Sequence, residues 1–131
     1  MNALFNNCYR VLLWQWVGNM ANALGRDALT TRAASRMDAI RKATQAAFYD
    51  AENKRYVADE QIYYLLPVIT GVTPDNERAA VIAKFLTCLR EKNKGRPDTG
   101  MLGTKYLVNF LDETGRDDLI LPFYQSTDYP G

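Results

Sequence analysis

Between Ala3 and Leu24, apolar side chains fall at Leu4, Cys8, Val11, Leu12, Leu13, Trp14, Trp16, Val17, Met20 and Leu24. They cover most of a helical circumference, with Asn and Gln as the main interruptions, and predict a helix buried on several sides. From Ala28 to Phe48 the pattern narrows. Leu29, Ala33, Met37, Ile40, Thr44, Ala47 and Phe48 form one stripe, while Arg32, Ser35, Arg36, Asp38, Arg41, Lys42 and Gln45 take the other face. This is the signature of an amphipathic helix with one wet side. Tyr49 to Ala58 is polar and turn-rich, then Arg55-Tyr56-Val57, and predicts a turn with a short extended piece. Asp59-Glu60-Gln61 opens a compact apolar helix, Ile62 to Ile69, which Pro67 should kink because it removes one ladder donor.

Thr73-Pro74-Asp75-Asn76-Glu77 reads as a new helix start. Thr73 is the expected N-cap, Pro74 the first helical residue, and the acids complement the dipole. Val81, Ile82, Phe85, Leu86 and Leu89 face inward; Lys84, Arg90, Glu91 and Lys92 face water. A polar loop, Asn93 to Asp98, leads into Thr99-Gly100-Met101-Leu102-Gly103-Thr104. Glycines at a helix entrance allow close approach of backbone or ligand. Met101, Leu102, Tyr106, Leu107, Phe110 and Leu111 continue at helical spacing to Gly115, the expected C-terminal cap. Arg116 to Tyr124 predicts a last short helix.

The punctuation repeats. Leu24-Gly25-Arg26-Asp27, Thr70-Gly71-Val72-Thr73 and Thr114-Gly115-Arg116-Asp117 lie 46 and 44 residues apart. Each glycine follows a strongly apolar helix and precedes a wetter one. The chain therefore reads as one all-α domain, residues 1–131, of three helical hairpins with the apolar helices as an inner layer. A period near 45 residues fits a HEAT-like solenoid or the hairpins of an α/α toroid.

Composition adds mainly exclusions. Apolar content of 47% and charged content of 24% are those of a globular domain. The formal charge of +1 gives no steering toward nucleic acid or an anionic membrane. Arg32, Arg36, Arg41 and Lys42 form a basic stripe interrupted by Asp38, which reads as a solvated face. No stretch approaches the roughly 18–20 apolar residues of a membrane span, and the sequence shows no basic leader or small-residue cleavage site. There is no histidine, which removes Ser-His and Cys-His nucleophile pairs and most zinc sites. No metal-ligand cluster and no phosphate-cradling loop is visible, so neither metal nor cofactor is expected. Cys8 and Cys88 lack C-x-x-C spacing and sit in apolar patterns, as buried free thiols do.

Several residues taken together resemble a known family. They are Ala23-Leu24-Gly25-Arg26, Phe48-Tyr49-Asp50 before Tyr56-Val57, and Gln61 at a helix start. To these add Thr99-Gly100-Met101-Leu102-Gly103-Thr104 with Leu107 and Leu111, Glu113-Thr114-Gly115-Arg116-Asp117-Asp118-Leu119, and Tyr129-Pro130-Gly131. The order and spacing are similar to a segment of the α-L-rhamnosidase family of glycoside hydrolases. The resemblance implies a partial (α/α)6 toroid, about three hairpins of six, from an enzyme that releases terminal α-L-rhamnose from glycans. It also implies inversion by two carboxylates, spaced by roughly 6.5–9.5 Å to admit a water. By that resemblance the acid lies upstream of this region and the base downstream, so no catalytic residue is carried onto this chain, which is expected to be inactive alone.

In such toroids the sugar pocket lies at the loops entering the inner helices. The implied substrate contacts are Asp59, Glu60, Gln61 and Tyr63, then Thr99, Gly100 and Met101, and finally Tyr124 and Tyr129. Each has a plainer reading beside it. Asp59 and Glu60 suit a helix dipole or cap, Tyr63 and Tyr64 a core aromatic, and Gly100 and Gly103 close helix packing. Trp14 and Trp16 point to different sides of a helix, so at least one is packing. A complete enzyme using Asp59 or Glu60 with Asp98 or Asp112 lacks a second carboxylate in a matched setting. Half a closed toroid leaves seams on Ala3–Leu24 and Gly115–Tyr124 without neighbours, so self-association is expected.

Overall fold

The computed structural model describes residues 3–125 and Thr127. Helix α1 (Ala3–Ala23) turns at Gly25 into α2 (Asp27–Phe48). A two-residue hairpin, β1 (Tyr49–Asp50) with β2 (Arg55–Tyr56), leads to α3 (Gln61–Ile69). Helix α4 (Asp75–Thr87) ends in a π-helical turn, Cys88–Lys92. Helix α5 (Gly100–Glu113), a 3-10 turn (Asp117–Leu119) and α6 (Leu121–Gln125) complete the chain. These are three hairpins: α1 packs with α2, α3 with α4, and α5 with the turn that carries α6.

The repeated glycines end the inner helices by one mechanism. Gly25, Gly71 and Gly115 all adopt left-handed backbones, with φ of 63°, 68° and 66°. The reversal lets the next amides reach back over the last turn. Arg26 N–H donates to Ala21 O at 2.8 Å and Arg116 N–H to Leu111 O at 2.8 Å. After Gly71 the same office falls to Thr73 N–H, which donates to Pro67 O at 3.0 Å. Pro67 itself falls in the last turn of α3, where the Leu66 carbonyl accepts both the amide and the hydroxyl of Thr70, at 3.1 and 2.7 Å.

Helix α3 is the hub. Seven of its nine residues are buried, and it touches both α1 and α5. One core joins Tyr64, Leu65 and Val68 to Val81, Phe85, Leu86 and Leu89 of the second hairpin and to Leu107, Phe110 and Leu111 of α5. A second joins Ile62, Leu66 and Val72 to Leu4, Cys8 and Val11 of α1 and to Tyr56. The two cores lie on opposite sides of one short helix, so its apolar circumference is used completely.

Three local expectations change. The first helical segment is not buried on several sides: Leu13, Trp16 and Met20 of α1, and Leu24 just after it, are each more than half exposed, while α1 packs against α2 and α3. Helix α4 begins one residue later than the sequence pattern predicts. Pro74 takes the N-cap position and Thr73 is buried behind it, making no capping bond. Arg41 does not belong to a solvated stripe. Its Nε donates to Thr70 O at 2.7 Å, and its guanidinium lies where a Cβ on Gly71 would stand, 3.2 Å away. Among the described residues no helix is long and apolar enough to cross a membrane.

The close approach of α5 to α3 depends on Gly103, where a Cβ would meet Thr99 Cβ at 2.7 Å and Ile62 Cδ1 at 2.9 Å. Gly103→Val should therefore destabilise the chain by about 1–3 kcal/mol, the range for overpacking a tight contact. A denaturant midpoint unchanged from the parent chain would contradict this packing.

Cys8 and Cys88 are free and buried, and burial is the first cause that pushes both thiols up to about 11. Such a thiol stabilises the fold below its ordinary pKa of 9.0, and that contribution is lost as pH rises through about 11. At about pH 8 neither should react with a thiol reagent until denaturant is added. Labelling of the folded chain would overturn the assignment.

Candidate functional site

The three inner helices start level with one another. Phe5 and Tyr63 are each the third residue of their helices, and their rings meet edge to face at 5.9 Å. Tyr9 and Tyr106 are each the seventh, and their rings meet at 6.2 Å. Helices joined third residue to third and seventh to seventh begin near one level. Phe5, Tyr9, Tyr63 and Tyr106 are all half-buried, so that level carries an aromatic wall with part of each ring reachable from outside. Tyr9 and Tyr106 thus join α1 to α5 in the same cluster that holds Ile62 and Leu66 of α3.

Helix α5 is held at this level by Gln61, the first residue of α3. Its side chain is fully buried; Nε2 donates to Arg96 O at 2.7 Å and Oε1 accepts from Asp98 N–H at 3.0 Å. Both ends of the amide are thus committed to the loop that delivers α5. Gln61 positions the entrance instead of offering itself to a ligand.

At the entrance of α5, Thr99 occupies the N-cap position with no side-chain capping bond. The Thr104 hydroxyl donates to Gly100 O at 2.9 Å, which leaves it to accept from the Thr99 hydroxyl at 3.2 Å. Gly100 has φ of 67° with open space around it, and Met101 is 89% exposed. Gly100 and Met101, with the half-buried Thr99, therefore form a solvent-facing lip next to the loop that Gln61 holds.

The other expected contacts lie elsewhere. Asp59 precedes α3 but turns toward the outer layer. Its Oδ1 accepts from the buried Tyr64 hydroxyl at 2.8 Å, and Lys92 Nζ lies 3.7 Å from Oδ2. It lines a cavity of about 490 Å³ with Arg55, Lys84, Thr87 and Glu91. That carboxylate, with burial as the larger cause, raises the Tyr64 pKa strongly. Glu60 stands at the N-cap of α3, exposed, and its side chain makes no cap. Tyr124 lies on α6, in a groove with the C-terminal half of α5 and away from the lip. Tyr129 lies outside the described residues.

The sequence pattern alone missed Phe5, Tyr9 and Tyr106 as members of a shared surface. Phe5 and Tyr9 do sit four apart on α1, hence on one helical face. Which face meets Tyr63 and Tyr106 depends on the helix register, and that needs the fold. The carboxylates with displaced pKa values are not acids in waiting. Glu77 is lowered by its bond from Lys54 at 2.9 Å and then by that from Tyr49 at 2.8 Å. Asp50 is lowered chiefly by the backbone and side chain of Asn53. Among the described residues no three His, Cys, Asp or Glu side chains group closely enough to hold a metal.

Comparison with known proteins agrees with this architecture. The family model described as the bacterial alpha-L-rhamnosidase 6 hairpin glycosidase domain matches residues 1–131. An alpha-L-rhamnosidase of Streptomyces avermitilis is 34% identical over 116 residues, which is 85% of this chain and 10% of that protein. The chain thus spans about a tenth of that relative's length. No solved structure matches it. Three hairpins with level inner helices, matched end to end by that model, make this chain a member of the bacterial α-L-rhamnosidase six-hairpin glycosidase family.

Proposed function

We propose that the chain forms part of the sugar-binding wall of an α-L-rhamnosidase, a glycoside hydrolase acting on rhamnose-containing glycans. The observation that carries this is the aromatic wall of Phe5, Tyr9, Tyr63 and Tyr106 at the level start of the three inner helices. Half-buried tyrosines offer a sugar an apolar ring face and a hydroxyl together. Thr99, Gly100 and Met101 add an exposed lip at the start of α5. The relative's name supplies the substrate class.

The reaction is hydrolysis with inversion. One carboxylic acid protonates the leaving oxygen while a second carboxylate activates a water on the opposite face. A general acid of this kind needs a raised pKa. Glu77 and Asp50 are shifted the wrong way, and Asp59 is tied to Tyr64 and faces the outer cavity. In keeping with the family resemblance, which places the acid upstream and the base downstream, we infer that both catalytic carboxylates come from other segments, and that the chain alone binds sugar without turning it over. A HEAT-like interaction module is the weaker reading, since the family model spans every residue of the chain. The exposed flanks also lead us to propose that the isolated chain self-associates.

Incubated with an aryl α-L-rhamnoside from about pH 4 to 8, the 131-residue chain should release no phenol. L-Rhamnose should still give a saturation-transfer NMR signal, weakened about 2- to 10-fold in Tyr63→Ala or Tyr106→Ala, the weight of one aromatic contact. Turnover would bring Asp59 and Glu60 back as catalytic groups. An absent rhamnose signal, or one indifferent to both tyrosines, would remove the wall from the substrate site.

A further inference from the structure

Consecutive tyrosines in the first turn of α3 face different ways. Tyr63 meets Phe5 in the aromatic wall, and Tyr64 lines a separate cavity of about 490 Å³. That volume is within the range of small-ligand sites, about 300–1,000 Å³. Every residue lining it falls between Asn53 and Lys92, in the middle of the chain. Its floor is buried, with Tyr64 and Cys88 each 2% exposed. Its two walls are irregular backbone. One is the β1–β2 hairpin, which contributes Arg55 and holds Lys54 in its turn and Val57 just past its end, both with φ of 53°. A β-branched residue such as Val57 seldom takes that left-handed conformation. The other wall is the π-helical turn that ends α4, which contributes Glu91 and Lys92. Turns of this kind are rare and occur mostly at functional sites, and strained backbone gathers there too.

The charges of the lining say what would enter. Arg55, Lys84 and Lys92 stand against Asp59 and Glu91, three cations to two carboxylates, an excess of one positive charge. Asp59 is already engaged, accepting from the Tyr64 hydroxyl at 2.8 Å and facing Lys92 Nζ at 3.7 Å. Arg55 lies a loose 3.7 Å from Asp50, which stands outside the cavity. Lys84 of α4 is held in no ion pair among the described residues, and neither is Glu91. A cation at a concave surface without an acid of its own attracts a negative group. One carboxylate neutralises the excess, whereas a phosphate dianion overshoots it. Glu91 sets a second condition, because a bare anion beside it is repelled. A ligand that brings hydroxyl donors along with its carboxylate meets both. The Tyr64 oxygen, whose proton goes to Asp59, is left to accept one of them.

We propose that this cavity binds an acidic sugar, a hexuronate whose carboxylate is taken by Lys84 and Arg55 while its hydroxyls donate to Glu91 and to the Tyr64 oxygen. The choice of a sugar rests on the glycan-binding reading given above and extends it to a second site. The first turn of α3 then serves two sites, with the rhamnose wall at Tyr63 and the acidic sugar at Tyr64. A glycan that reaches both carries rhamnose and a uronic acid.

Titration of the 131-residue chain with D-glucuronate, followed by amide NMR, should give saturable shifts at Asn53, Arg55, Thr87 and Glu91 that weaken as salt is raised. D-Glucose has the hydroxyls without the charge, and acetate the charge without the hydroxyls. Each should bind about 10-fold more weakly than glucuronate. Lys84→Gln should weaken glucuronate about 3- to 10-fold, the weight of one charged contact, and Lys84→Arg should restore it. Lys84 is exposed, so the fold should survive, and matched far-UV circular dichroism checks that. Lys42→Gln, which removes an exposed lysine of α2 remote from the cavity lining, should change nothing. An absence of shifts with glucuronate overturns the site, and the rhamnose signal then stands or falls by itself. Acetate binding as tightly as glucuronate, or inorganic phosphate binding more tightly, means an anion site and overturns the acidic sugar. An equal loss in Lys42→Gln and Lys84→Gln means that the whole chain's charge attracts the ligand, which overturns the cavity.

Discussion

The arrangement of this molecule depends on how near α5 can come to α3. With no side chain at Gly103, Ile62 and Thr99 fill the space where a Cβ would be. From that approach follow the shared core of Tyr64, Leu65 and Val68 with Leu107, Phe110 and Leu111. The level start of the helices follows as well, and with it the meeting of Tyr9 with Tyr106. Gln61 works to the same end by polar means. A fully buried amide with both ends satisfied fixes a loop in one position, because any displacement would strand a donor or an acceptor away from water. One contact excludes a side chain and the other demands a particular one. Between them they define the entrance.

The second hairpin is braced on its outer side by a separate polar cluster. Tyr49 and Lys54 both donate to the carboxylate of Glu77, tying the β-hairpin to α4. Tyr64 and Lys92 both engage Asp59, tying the start of α3 to the π-helical turn. These carboxylates have structural work, each holding an outer element in place. Glu77, which accepts from Lys54 and Tyr49, is held below its ordinary pKa, the reverse of what proton donation to a glycoside needs.

Much of this was legible in the sequence, and the legible part has a common cause. Helices, hairpins and their ends are set by local spacing and by the glycines at 25, 71 and 115, all of which act within a few residues. Pro67 shows how a local rule yields to context: it falls in the last turn of α3, where little helix follows for it to break. Helix α1 shows the reverse failure. Its hydrophobicity says that it has many neighbours in a complete fold, and says nothing of which are present. Arg41, read as a surface cation, reaches a carbonyl 29 residues away. Phe5, Tyr9 and Tyr106 are ordinary helical aromatics until the register of three helices is known. Contacts at long sequence separation carry no periodic signal, so the site was the part that spacing could not supply.

Tyr9 and Tyr106 touch although their helices are not consecutive in the series. Two side chains of fixed length that meet act as a strut across an arc. They set the chord between α1 and α5, and an arc with a fixed chord and a fixed number of helices has a fixed radius. The curvature with which the inner helices follow one another is thereby set in part by a pair of phenol rings.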